Sequence, residues 1–80
     1  MDMLKYILVE NQGNKIMYKY FPEGGDDFGV VVYDKQKKEC SIQELAKIDR
    51  HRQYALKMFK RLREFADSET FLEEGKIAWY

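Results

Sequence analysis

The residues of this chain that could do chemistry are few and scattered. His51 offers its only imidazole and Cys40 its only thiol, while Gly24-Gly25-Asp26-Asp27 sets two carboxylates beside two glycines. A zinc site needs several N or S ligands at short spacings, so His51 and Cys40 could contribute only to a site assembled across two copies. Cys40 has no base and no second thiol beside it in sequence, and reads as an inert thiol in or near the core. The glycine–aspartate stretch lacks the Gly-Lys-Ser/Thr of a phosphate loop and the ligand pattern of an EF-hand, and reads as a turn. Asp26-Asp27 and Glu73-Glu74 are sequence neighbours in solvated stretches and do not form an acid–base pair. No catalytic, cofactor-binding or metal-binding residue follows from these groups, and the protein is expected not to be an enzyme.

Charge is more informative. The chain has 14 Lys and Arg against 14 Asp and Glu, but they are segregated. From Lys47 to Arg63 seven basic residues stand against Asp49 alone, whereas beyond Arg63 five acids stand against Lys76. On a helical wheel Arg50, Lys57, Lys60 and Arg61 share one solvent arc, a candidate surface for phosphate backbones or for another partner. The same charges also suit a solvated helix face, and basic residues late in a helix complement its dipole.

The elements that would position these groups can be read from pattern. Met3–Val9, Lys15–Phe21 and Phe28–Asp34 are rich in β-branched and aromatic residues and separated by turn-forming clusters. They predict three antiparallel strands, with Glu39 and Cys40 as a brief edge return. Pairing Glu10 with Lys15 in the first hairpin would place Ile7 and Val9 on one face with Ile16, Tyr18 and Tyr20. Leu4, Tyr6 and Leu8 would then share the other face with Met17 and Phe21.

Ser41-Ile42-Gln43-Glu44 fits a capping box, and no Gly or Pro occurs from Ile42 to Ala66, which predicts one long helix starting at Ser41. Its apolar arc would run from Leu45 and Ile48 through Leu62 to Tyr54, Met58 and Phe65, with His51 on its border beside Glu44 and Met58 as a structural histidine. Asp67-Ser68 would end the helix or cap a short one, with Gly75 as a C-terminal stop. Lys76 to Tyr80 would be a last extended segment. The fold expected is α+β: a three-stranded antiparallel meander, one long α-helix packed on it, and a short C-terminal segment that returns to the sheet or the helix.

With 80 residues, one domain over 1–80 is expected. A single cysteine excludes internal disulfides, and no signal-like start or bilayer-length apolar run occurs, so a cytoplasmic protein with no membrane partner is expected. Both sheet faces, and an arc of the helix wider than a core stripe, carry apolar residues. Either the C-terminal segment Phe71 to Tyr80 folds back over the surplus or a second copy covers it; a homodimer is expected, with Tyr54, Met58, Phe65, Trp79 and Tyr80 as candidates for self-association.

Phe28-Gly29-Val30-Val31-Val32-Tyr33-Asp34, the helix, and the ending Phe71-Leu72-Glu73-Glu74-Gly75-Lys76-Ile77-Ala78-Trp79-Tyr80 together resemble short uncharacterised proteins of Firmicutes. The resemblance implies a bacterial chain with a strand-rich first half, one helix and an Ala-Trp-Tyr ending. It brings no activity, cofactor or site residue. The function expected is that of a small self-associating interaction module. The alternative is a nucleic-acid accessory protein using the basic helix face, and a third reading is a small-ligand binder at a dimer junction near His51 and the tyrosines.

Overall fold

The computed structural model describes residues 2–79. Five strands form one antiparallel sheet: β1 (Asp2–Gln12), β2 (Lys15–Pro22), β3 (Gly29–Asp34), β4 (Glu39–Glu44) and β5 (Glu74–Trp79), in the order β4-β3-β2-β1-β5. One helix, α1 (Gln53–Ser68), crosses one face. The chain is α+β, but the expected three-stranded meander with a long helix is corrected to five strands and a 16-residue helix.

The correction centres on Ser41-Ile42-Gln43-Glu44. These residues form β4, with Ile42 opposite Val31 and Ser41 opposite Val32. Cys40 and Ile42 turn towards the core while Glu39, Ser41 and Gln43 are exposed, which is the period-2 alternation of a half-buried strand. A capping box contributes about 1 kcal/mol; pairing along β3 satisfies a row of main-chain groups and half-buries Cys40 and Ile42 as well. Tertiary pairing therefore wins over the local cap.

The next residues are kept from helix because their amides are taken by side chains. Asp27 accepts from the Lys47 and Ile48 amides, both at 3.0 Å, and the Tyr20 hydroxyl accepts from Ala46 at 3.2 Å. Leu45 and Ile48, placed on the helix by periodicity, lie instead on this loop and remain exposed.

The first hairpin also differs from expectation. Gln12 pairs with Lys15 across Gly13-Asn14, and Gly13 takes the positive φ that a two-residue hairpin turn needs. Glu10 then faces Met17, and a bulge between Leu8 and Glu10 resets the register so that Leu8 faces Tyr18 and Tyr6 faces Tyr20. Leu4, Tyr6, Ile16, Tyr18 and Tyr20 consequently share the helix-facing side and are buried, packed on Met58, Leu62 and Phe65. Full burial of each such side chain contributes about 1.5–3 kcal/mol.

Two glycines make room for two tyrosine rings. Gly29 faces Tyr20 and Gly75 faces Tyr6 across the ladder, and a Cβ at either position would overlap the opposing ring. Gly75, expected to stop a helix, is thus a strand residue whose missing side chain admits Tyr6.

Candidate functional site

The start of α1 is built around a buried carboxylate. Asp49 is 1% exposed. Its Oδ1 accepts from the Tyr54 amide and its Oδ2 from the Ala55 amide, both at 2.9 Å, capping the helix from four residues upstream of Gln53. The Tyr20 hydroxyl donates to the same Oδ2 at 2.9 Å. Three donors and the adjacent positive end of the helix dipole offset the cost of burying this charge. Burial, outweighing the lowering effect of the Ala46 amide, holds the Tyr20 hydroxyl above its ordinary pKa, and Asp49 adds to the rise. The network ties β2, in the middle of the sheet, to the helix start. It satisfies every group it contains and offers no open position to a substrate, so it is a positioning device.

From this anchored start, α1 sends Lys57, Lys60 and Arg61 towards β5. They line a groove with Glu64, Ile77, Ala78 and Trp79. Lys57 Nζ lies 5.1 Å from the centre of the Trp79 ring. The Arg61 guanidinium covers Tyr6 and Phe65 and pairs through Nε with Glu64 at 3.2 Å, the one ion pair among the described residues. Arg50 does not join them. It sits on the exposed loop before the helix, so the expected four-residue stripe is corrected to a cluster of three.

The residues expected to mediate self-association separate as well. Met58 is fully buried and Phe65 is 6% exposed, both inside the protomer's own core. They are corrected from interface candidates to core residues, because the helix starts later and faces the sheet with this stripe. Tyr54 is half-buried, edge-on to Trp79 at 5.5 Å, and its hydroxyl donates to Glu23 Oε2 at 2.8 Å. That hydrogen bond pushes the Tyr54 pKa up to about 12. Tyr80 lies outside the described residues.

What remains apolar and uncovered is the sheet face opposite α1. Alternation along the strands puts Met3, Ile7, Met17, Phe21 and Val32 there, each partly exposed, around the buried Val30. Phe28 packs on Phe21 at 5.7 Å and lies beneath Lys19 Nζ at 4.6 Å. No element of the described residues covers this face.

A second apolar strip lies in the groove between β4 and α1, where Ile42, Leu45, Leu56 and Phe59 meet beside Arg52.

Cys40 is half-buried, with its thiol 3.8 Å from the Phe59 carbonyl and its pKa raised by burial. His51, expected on the border of an apolar arc, is corrected to an exposed loop residue. Among the described residues no group of three or more His, Cys, Asp or Glu could hold a metal ion. No described helix is long and apolar enough to cross a membrane.

Sequence reasoning missed Asp27 and Asp49. The signal for Asp49 was its isolation, a lone acid inside the basic stretch from Lys47 to Arg63. Asp27 gave no comparable signal, because its partners lie 20 and 21 residues away. Comparison with protein-family models, with curated proteins and with solved structures finds no match for the chain.

Proposed function

We propose that the protein is a non-enzymatic interaction module that self-associates by covering its outer sheet face with a second copy. The observation that supports this reading is the partly exposed row of Met3, Ile7, Met17, Phe21 and Val32. An antiparallel sheet backed by a helix on one side ordinarily turns polar residues to water on the other. Here the charged residues on β1 and β2 of that face are Lys5, Lys15 and Lys19, whose stems are long enough to reach its rim, and Glu10 opposite Met17.

Strand spacing and rise give five strands of six residues a face of about 24 Å by 20 Å. Two such faces in contact remove about 1,000 Å² from water, the lower bound for a specific interface. The expected dimer is therefore weak and concentration-dependent. A nucleic-acid reading would rest on Lys57, Lys60 and Arg61 alone, since Arg50 lies on the loop before α1.

Sedimentation across the micromolar range tests the proposal. The wild-type mass should rise from monomer to dimer, and Met17→Lys should hold it at monomer with little change in melting temperature, since Met17 is on the outer face opposite Glu10. A wild-type monomer at every concentration overturns the reading.

A further inference from the structure

The strongest unassigned feature lies on a different surface, the open edge at β5. The Leu8 amide donates to the Glu73 carbonyl at 2.7 Å, which fixes the phase of the β1–β5 ladder. Glu73, Gly75, Ile77 and Trp79 direct their main-chain groups towards β1. Glu74, Lys76 and Ala78 therefore direct theirs outwards. The register runs unbroken from Asp2↔Trp79 to Ile7↔Glu74, so this edge has no bulge to turn it from a partner.

Beside the free edge stands the basic side of α1. Lys57 and Lys60 have no acid within ion-pair distance among the described residues, while Arg61 is engaged by Glu64. A strand added to β5 would present alternate side chains to this groove, within reach of Lys57, Lys60 and the Trp79 ring.

We propose that β5 and the basic side of α1 form a docking groove for an extended acidic peptide, which adds to the sheet as a sixth strand. The peptide's main chain pairs with Glu74, Lys76 and Ala78. Carboxylates at every second position meet Lys57 and Lys60. Charge complementarity selects this occupant. An apolar strand would leave both ammonium groups unpaired, and a second β5 would bring Lys76 against its own edge. The inference does not depend on the dimer, which uses the opposite face of the sheet.

Trp79 is the only tryptophan, so its fluorescence reports on the groove directly. The probe is a capped hexapeptide of alternating valine and glutamate, compared with its block isomer of three valines followed by three glutamates. The alternating peptide should shift the emission saturably. The block isomer should bind about tenfold more weakly, a difference of about 1.4 kcal/mol. N-methylation of alternate amides should abolish binding, and Lys60→Glu, at an exposed helix position, should weaken it about tenfold while leaving the melting temperature unchanged. Equal binding of the two isomers, no saturable shift, or tighter binding of an oligothymidylate of matching charge would each overturn the proposal.

Discussion

The two edges of the sheet are treated oppositely. At β4 the register with β3 breaks between Val30 and Val31, and Glu39 and Glu44 stand at the strand ends. The groove between β4 and α1 is apolar, with Ile42, Leu45, Leu56 and Phe59 beside Arg52. At β5 the register is unbroken and the groove is basic. A bulge and end charges are the usual means of blunting an edge, and only β4 has both. The helix lies between the two edges and divides its side chains accordingly, Leu56 and Phe59 to one side and Lys57, Lys60 and Arg61 to the other. One amphipathic helix thus makes two edges of a single sheet chemically distinct.

That division depends on where the helix starts, so the largest effect is expected at Asp49. Asp49→Ala leaves the Tyr20 hydroxyl and the Tyr54 and Ala55 amides without their acceptor. The expected loss is about 3 kcal/mol of unfolding free energy in urea. Asp49→Asn, which keeps one acceptor oxygen, should fall between this variant and wild type. If Asp49→Ala unfolds like wild type, the carboxylate does not set the helix position.

A smaller and more local effect separates the edges. Gly75→Ala forces a methyl group against the Tyr6 ring, and overpacking of this kind costs about 1–3 kcal/mol. Hydrogen exchange should quicken at the Ile77 and Gly75 amides of β5 and stay unchanged in β4. Equal loosening of both edges would show that they are not independent.

The smallest effect is a pH dependence of stability. Asp27, accepting from the Ile48 and Lys47 amides, is held below its ordinary 3.8. Glu23, accepting from the Tyr54 hydroxyl and the Met3 amide, is held below its ordinary 4.5. Lowered folded-state values mean that the ionised forms favour the fold. Their contribution is fully present above the ordinary values and is lost as pH falls through the lower folded ones. The Tyr54 value is raised from 10.0 to about 12, so the neutral phenol favours the fold. That contribution is present below pH 10.0 and is lost as pH rises towards 12. Melting temperature should therefore decline at both ends of the range. Asp27→Asn should remove part of the acidic decline, and Tyr54→Phe the alkaline part assigned to Tyr54. An unaltered profile in either variant would remove that residue from the account.

Much of the sheet was legible in the residues themselves. The runs Met3–Val9, Lys15–Phe21 and Phe28–Asp34 fall within or overlap β1, β2 and β3, and the extended ending overlaps β5. Their types and the Gly and Asn between them are local properties, and local properties survive folding. The face assignments were not legible, because one bulged residue in β1 moves Leu4, Tyr6 and Leu8 onto the face of Tyr18 and Tyr20. The candidate interaction residues divided on the same ground. Tyr54 and Trp79 meet at the side of the helix, while Met58 and Phe65 lie inside the core once the helix is placed.

By itself the sequence determined three strand-forming runs, an α+β content, a segregation of charge along the chain and the presence of one cysteine and one histidine. Tertiary structure alone decided the fate of Ser41-Ile42-Gln43-Glu44, which satisfies the local rule for a helix start and is nevertheless a strand. Its competitor was the free edge of β3, whose main-chain groups needed a partner. The true helix start awaited Tyr20 from β2 to complete the Asp49 network across 29 residues. Neither an edge nor a long-range acceptor can be counted along a sequence, because both come into being only when strands distant in the chain lie side by side.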